Sequence, residues 1–195
     1  LVKHWFSATK IDRLVEKHIR ERFTSLDAVL PMDARYRLEF RNGKNIGANA
    51  FALPGGTIVV TDEMVKLAKS RDELLAVLAH EIGHVEMRHS LRHIIQNSAV
   101  ATVIAAITAD AASLTIAVAG APALLAQAKY SRDFETESDD FAFALLKKHG
   151  ISPAAFATLM ERLSKDTEDA EEAFAFMSSH PITAERVKRA RAAAE

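Results

Sequence analysis

The first third of the chain alternates between helix and strand patterns. From Thr9 to Phe23, apolar residues recur every three or four positions with charged residues between them, which predicts an amphipathic helix. Apolar and polar residues then alternate over residues 36–41, and Asn42-Gly43 follows, a dipeptide typical of a hairpin turn. Two more extended runs cover Ile46–Leu53 and Thr57–Val60. These patterns predict a small antiparallel β-sheet.

The middle of the chain carries helix signals with recognisable N-terminal caps. Residues 61–68 are predicted to form a short helix that Thr61 caps. Ser70 and Glu73 then have the spacing of a capping box, which predicts that a long helix begins here and covers Leu74 to Gln96. The fold class that we expect is α+β and mainly α, with the sheet packed on this long helix.

The last third of the chain is predicted to be helical as well. Helices are expected over Asp133–His149, where a glycine follows, and from Ser152-Pro153, where a proline occupies the first helical position. A last helix is expected to begin near Pro181. The acidic residues 165–172 are predicted to be a solvated loop or helix face. Because no repeat or low-complexity linker divides the sequence, we expect one domain over residues 1–195.

The alanine-rich stretch from Ala99 to Ala128 raises the question of a membrane span. Asp110 is its one charged residue, and Gly120 and Pro122 interrupt its second half. Alanine is close to neutral for membrane insertion, so a buried or partly exposed helical hairpin is favoured over a spanning segment. A surface that contacts a membrane or a partner is the remaining interpretation.

Charge and cysteine content narrow the chemistry that the chain can carry. The formal net charge is −1, with 25 basic and 26 acidic residues, which disfavours nucleic acid as a partner. The chain has no cysteine, so a metal site must use histidines and carboxylates. Since the sequence begins at Leu1 rather than a methionine, we expect the natural N-terminus to lie upstream.

The pentapeptide from His80 to His84, with the sequence His-Glu-Ile-Gly-His, is the strongest chemical signal in the chain. Residues four apart on an α-helix leave the same face, so both imidazoles can bind one metal ion. Glu81 follows about 100° round the helix and is placed to hold a water beside the metal. Ligands, metal, water and a carboxylate base are what a zinc hydrolase requires.

A third ligand is expected from the helix that begins near residue 133. The long HExxHxxGxxH pattern does not fit, because Met87 and Ser90 stand where it needs glycine and histidine. His89 and His93 are therefore expected to lie at the surface or beside the ligands rather than on the metal. Glu135 and Asp139 are four apart and share a helix face, so one carboxylate can bind metal while the other accepts a hydrogen bond from an imidazole. Compensation of the helix dipole is the alternative role for these acids, and Glu137 is expected to point away from the metal.

The segment before the last helix adds a further histidine. His180 precedes Pro181, and Arg186 lies one and a half turns into the predicted helix. A histidine at this place can be a helix cap or surface residue. In a metallohydrolase it can instead approach the metal or stabilise the oxyanion. The sequence leaves these alternatives open.

Four motifs in this order resemble metallopeptidase family forty-eight, the gluzincin group that includes HtpX, the CAAX prenyl proteases, the Oma proteins and the BepA-type enzymes. The motifs are the segment Asn49–Gly56, the pentapeptide with Arg88-His89, Ser131-Arg132 with Glu135 and Asp139, and His180-Pro181 with Glu185-Arg186. The resemblance implies a zincin-like fold and one Zn²⁺ per chain.

The same resemblance assigns roles to individual residues. His80, His84 and Glu135 would be the zinc ligands and Glu81 the catalytic base. We also expect His180 to be a catalytic residue, and Asp139 and Arg186 to support the ligands. The strand that contains Asn49, Ala50, Phe51 and Ala52 would be the edge to which an extended substrate adds as a further strand.

We therefore expect a zinc-dependent endopeptidase that acts on unfolded or extended proteins and peptides in quality control of the cell envelope. A periplasmic or envelope-associated location fits this expectation better than the cytoplasm. The principal rival is a zinc-bound, chaperone-like or latent protease whose site is blocked by His180. A purely structural zinc site is a weaker rival, because it has no use for Glu81 and usually closes with cysteines.

Overall fold

Helices predominate around a four-stranded sheet in this computed structural model, which describes residues 6–27, 36–44, 46–96, 131–165 and 173–195. The alanine-rich stretch 99–128 lies outside the described residues, and so does most of the acidic run 165–172. Within the described part of the chain, no helix combines the length and the apolar character needed to cross a membrane.

The sheet is mixed rather than antiparallel throughout. Its strands are β1 (Ser7–Ala8), β2 (Arg37–Asn42), β3 (Ala50–Leu53) and β4 (Thr57–Thr61). They lie in the order β1-β2-β4-β3. The two outer pairs are antiparallel, as predicted, whereas the central pair of β2 and β4 is parallel.

The predicted hairpin at Asn42-Gly43 is wrong, because β2 and β3 are not neighbours in the sheet. The chain does turn here, since the Ile46 N–H donates to the Gly43 carbonyl at 2.8 Å. It then crosses over, and β4 enters between the two strands. The physical reason is that the middle of β4 is buried on both faces, at residues 58–60, and such a strand needs a partner on each edge.

The helices follow the predicted order with shifts of a few residues. They are α1 (Arg13–Asp27), α2 (Asp62–Leu67), α3 (Arg71–Glu86), α4 (residues 89–96), α5 (Arg132–Lys148), α6 (Ala154–Leu163), α7 (Phe174–Ser179) and α8 (Ala184–Ala192). The predicted caps are confirmed at α2 and α3, where the hydroxyls of Thr61 and Ser70 accept the backbone N–H three residues on. Pro153 precedes the first residue of α6 rather than occupying it.

The predicted long helix to Gln96 is in fact two helices. The first, α3, ends at Glu86, and Arg88 adopts a left-handed conformation with φ of 54°. This residue interrupts the helix, and His89 at the start of α4 comes to lie 2.9 Å from His84. Consequently His89 and Ser90 are buried, although a straight helix would carry them away from the core.

Helix α3 lies at the centre of the molecule. It packs on α5 and α6 and on the edge strand β3. Its residues from Glu73 to His84 are all buried, which explains why its sequence has no solvent-facing stripe in this stretch. A helix covered on every side can hold polar side chains in a fixed, water-poor environment.

Candidate active site

The ends of three helices bring four polar side chains to one point. His80 and His84 come from α3, Glu135 from the first turn of α5, and His180 directly follows α7. The Nε2 atoms of His80 and His84 are 3.0 Å apart. The Glu135 carboxylate lies 3.5 Å from the first of these nitrogens and 3.4 Å from the second. None of the four side chains is more than 2% exposed.

His180 occupies a fourth position in this cluster. Its Nδ1 atom lies 3.3 Å from His80 Nε2 and 3.1 Å from Glu135 Oε1. Its Nε2 atom points the other way and lies 3.5 Å from a carboxylate oxygen of Glu81. The structure therefore favours the interpretation in which His180 approaches the metal site over a simple cap or surface role.

The four donors fit a metal ion. One ligand atom from each residue lies within 4.8 Å of all the others. Zinc bound to nitrogen or oxygen at about 2.0–2.1 Å in a tetrahedron places its ligand atoms about 3.3 Å apart. The separations of 3.0 to 3.5 Å in this cluster match that spacing. With imidazole and carboxylate donors and no thiolate, the group suits a divalent metal such as zinc.

Packing at Gly83 determines how closely α3 and α5 approach. A Cβ atom at this position would lie 2.6 Å from the hydroxyl of Ser138 and 2.8 Å from its backbone carbonyl. The Ser138 hydroxyl also donates to the carbonyl of His80. Because only glycine permits this approach, the histidines of one helix can reach the glutamate of the other.

Asp139 and Arg186 hold the ligand side chains in place. His80 Nδ1 lies 2.9 Å from Asp139, so the carboxylate orients the ring. Arg186 donates two hydrogen bonds of 2.7 Å to the same carboxylate and lies 2.6 Å from Glu135. It also donates to the carbonyl of Pro181 at 3.0 Å, which ties the residue after His180 to α5.

The electrostatics of the cluster suit a cation. Burial raises the pKa of Glu135, but the imidazoles of His180 and His80 outweigh it, so the pKa lies well below the usual value. Burial holds the pKa of His84 well below that of a free histidine. Burial also lowers the pKa of His80, but Asp139 and Glu135 reverse this effect and raise it. An ionised glutamate and a neutral His84 are the forms that bind metal, and the raised pKa of His80 shows that the carboxylates favour positive charge here.

Glu81 lies beside the cluster, between His180 and strand β3. Its carboxylate is fully buried. Burial raises the pKa of Glu81 to about 7, while His180 and the backbone N–H of Ala52 act in the opposite direction. A carboxylate with a pKa near neutrality can both take up and release a proton at physiological pH.

The predicted substrate strand lies at the edge of the sheet. β3 is the last strand in the order and pairs with β4. The four residues from Asn49 to Ala52 are all buried. The Ala52 carbonyl accepts a hydrogen bond of 3.0 Å from Ser90, a contact that the sequence did not reveal. Beside the strand, a cleft of about 500 Å³ is bordered by Pro54, His84 and Arg88.

The other acidic and histidine side chains of these helices lie around the cluster. Glu137 points away from the four converging donors, as predicted, and lies 3.1 Å from His89. His89 itself is buried and lies 2.9 Å from His84. His93 is half-buried one turn further along α4. The contact between His84 and His89 had no signal in the sequence, because it depends on the left-handed conformation of Arg88.

The site has the composition of a metalloprotease active site. It contains two histidines from one helix, a glutamate from another and a buried carboxylate next to them. Residues 8–194 match the model of Peptidase family M48. The chain therefore belongs to peptidase family M48, as the four sequence motifs predicted, and it is a metallopeptidase domain of that family.

Named relatives agree with this assignment. The chain is 36% identical over 147 residues to the metalloprotease YcaL of Escherichia coli, and the matched residues are 73% of this chain and 57% of that protein. It is 35% identical over 144 residues to the mitochondrial metalloendopeptidase OMA1 of Schizosaccharomyces pombe, covering 72% of this chain and 42% of the relative. A putative β-barrel assembly-enhancing protease of Vibrio cholerae is 32% identical over 155 residues, 73% of this chain and 32% of its own length. The chain thus matches about half or less of each relative.

Proposed function

We propose that this chain is a single metallopeptidase domain that binds one Zn²⁺ and hydrolyses internal peptide bonds of protein substrates. The observation that carries the proposal is the convergence of His80, His84 and Glu135 on one point, with the buried Glu81 carboxylate alongside. In this proposal the two histidines and Glu135 hold the metal. Asp139 and Arg186 orient these ligands through the contacts described above.

In this proposal Glu81 is the general base and general acid of the reaction. A bound zinc ion would supply Lewis acidity, which polarises a substrate carbonyl and activates water. Glu81 takes the proton of the attacking water and passes it to the leaving amine, and its pKa of about 7 suits both steps. His180, whose Nε2 faces Glu81, is placed to stabilise the oxyanion when it is not bound to the metal.

Substrate is proposed to bind as an extended strand along β3, through Asn49, Ala50, Phe51 and Ala52. The edge position of β3 and the cleft of about 500 Å³ beside it support this placement. Extended binding implies that substrates are unfolded or locally unfolded proteins. We further propose a role in protein quality control of the cell envelope, with a periplasmic or envelope-associated location. The similarity to proteases named for enhancing β-barrel assembly supports this role.

A latent or chaperone-like state is the second candidate, and the position of His180 favours it. His180 Nδ1 lies 3.3 Å from His80 Nε2 and 3.1 Å from Glu135 Oε1, so it can occupy the place that water needs. If His180 blocks the site, His180→Ala will increase cleavage of a peptide substrate. If His180 stabilises the oxyanion, the same substitution will decrease cleavage.

Replacement of the base tests the proposed function. Glu81→Gln should keep zinc and lose about 10²–10⁴-fold in the rate of casein cleavage, because general acid–base catalysis contributes a factor of this size. Glu73→Gln, which changes another buried carboxylate on the same helix, is the matched control and should keep activity. Normal casein turnover by Glu81→Gln, measured alongside zinc content, would contradict the proposal.

A further inference from the structure

A row of hydrogen-bonding side chains leads from the metal-facing cluster to the protein surface. His84 Nδ1, the ring nitrogen that faces away from the cluster, lies 2.9 Å from His89 Nδ1. His89 Nε2 lies 3.1 Å from the carboxylate of Glu137. The His84 and His89 side chains are fully buried, whereas the Glu137 side chain is 39% exposed.

The direction of the protons along this row follows from its last member. An ionised glutamate only accepts hydrogen bonds, so His89 must carry its proton on Nε2 and donate it to Glu137. His89 Nδ1 is then an acceptor, and His84 must carry its proton on Nδ1. That tautomer leaves the Nε2 atom of His84 with its lone pair directed at the other metal-facing donors.

We propose that His89, oriented by Glu137, is a positioning residue that holds His84 in the tautomer able to bind metal through Nε2. This inference rests on the proposed metal site. His80 receives the equivalent support directly from the carboxylate of Asp139, at 2.9 Å. His84 receives it through an intervening imidazole, which extends the support to a carboxylate nearer the surface.

Contacts with a neighbouring ring and an arginine keep this row rigid. The ring of His89 stacks on that of Phe134, with centroids 4.3 Å apart and planes 9° from parallel. Arg92 lies 2.7 Å from the Glu137 carboxylate, and its guanidinium carbon lies 4.2 Å from the centroid of the Phe134 ring. The guanidinium of Arg92 donates a hydrogen bond to the Glu137 carboxylate, and this charged donor favours the ionised form of the glutamate. The row therefore has one arrangement of donors and acceptors.

Three variants separate the hydrogen-bonding role of His89 from its packing role. His89→Phe keeps a ring against Phe134 but removes both nitrogens. His89→Gln has an amide that can accept from His84 and donate to Glu137. His93→Phe makes the same change one turn along the same helix and serves as the matched control.

Zinc affinity, measured by competition with a chromogenic chelator, is the first readout. We expect His89→Phe to bind zinc about 10–100-fold more weakly, and His89→Gln to stay within about threefold of the wild type, because losses of this size follow removal of a group that orients a ligand. We expect His93→Phe to match the wild type. The proposal would be overturned in favour of a packing role if His89→Gln lost as much zinc affinity as His89→Phe. The same loss of zinc affinity in His93→Phe would also overturn it.

Nitrogen-15 NMR of the histidine rings in zinc-free protein is the second readout, since packing alone does not set a tautomer. We expect the His84 proton on Nδ1 in the wild type and a mixture of both tautomers in His89→Phe. If His89→Phe leaves both the His84 tautomer and the zinc affinity unchanged, the inference is overturned. The proposed function still stands in that case, provided that the wild type binds zinc and cleaves casein. A wild type that binds no zinc would instead overturn both.

Discussion

Each end of helix α3 lies in a buried cluster that contains a carboxylate, but the carboxylates of the two clusters have different partners. At the N-terminal end, Arg162 donates to both oxygens of Glu73 at 2.9 Å, and the backbone N–H of Lys69 donates to one of them at 2.9 Å. At the C-terminal end, the ring nitrogens of His80 and His84 face each other and the Glu135 carboxylate at 3.0–3.5 Å. In the first cluster, hydrogen-bond donors face the acceptor oxygens of Glu73. In the second cluster, imidazole nitrogens and carboxylate oxygens, all of which can accept or coordinate, face one common point.

This difference separates a structural ion pair from a binding site. Buried polar groups are normally satisfied by hydrogen bonds within the protein, and the cluster around Glu73 follows that rule. The cluster around His84 has the spacing of a coordination shell, and a cation at its centre would satisfy its buried polar atoms as hydrogen bonds satisfy those around Glu73. Burial alone therefore does not distinguish the two ends, and the arrangement of donors does.

The largest expected effect comes from one isosteric change made at each end of the helix. Glu135→Gln removes the charged ligand and should weaken zinc binding by more than the 10–100-fold that is typical when only a supporting group is lost. Glu73→Gln should leave zinc affinity unchanged, because Glu73 faces Arg162 and not the cluster. Metal analysis after dialysis against limiting zinc measures both. Equal zinc loss in the two variants would remove the distinction between the ends.

Removal of metal should destabilise the protein by a smaller amount. A ligand present at 100 times its Kd stabilises the folded state by about 2.7 kcal/mol. For a chain of this size that corresponds to a fall in Tm of roughly 5–10 °C when EDTA is added. The Tm of Glu135→Gln should not respond to EDTA, while that of Glu73→Gln should fall as in the wild type. Calorimetric scans with and without EDTA test this expectation, and a wild-type Tm that ignores EDTA contradicts it.

The smallest expected effect is a pH dependence of stability at the Glu73 end. Burial raises the pKa of Glu73, but hydrogen bonds from Arg162 and Lys69 outweigh it, so the folded-state pKa lies below 4.5. The stabilisation is therefore present above about pH 4.5 and is lost as the pH falls through the folded-state value. We expect Glu73→Gln to be less stable than the wild type by about 1–2 kcal/mol at neutral pH. Urea unfolding of zinc-free protein should show this gap narrowing below pH 4.5, and a constant gap would contradict the assignment.

Local signals in the sequence predicted most of the helices and the chemistry of the site. The spacing of His80, Glu81 and His84 is a property of any helix, so it could be recognised without the fold. Glu135 and Asp139 were recognised for the same reason, and the caps at Thr61 and Ser70 are equally local. These predictions needed only neighbours within one or two helical turns.

The features that could not be predicted depend on pairing between distant parts of the chain or on an unusual backbone turn. The parallel pairing of β2 with β4 replaces the hairpin that Asn42-Gly43 suggested, because β4, whose middle is buried on both faces, takes a central place in the sheet. The contact between His84 and His89 depends on the left-handed Arg88. The position of His180 beside His80 and Glu135 joins residues that lie 100 and 45 positions apart, which no local pattern relates.

The central claim is that the donors at the C-terminal end of α3 form a metal site. Anomalous diffraction at the zinc edge, from crystals of the chain grown with zinc, tests it most directly. We predict one strong peak within bonding distance of the Nε2 atoms of His80 and His84 and of the Glu135 carboxylate, and none beside Glu73. The fourth neighbour of the peak, water or His180, would then separate the active from the latent state. Absence of a peak among these three side chains in zinc-replete crystals would contradict the account.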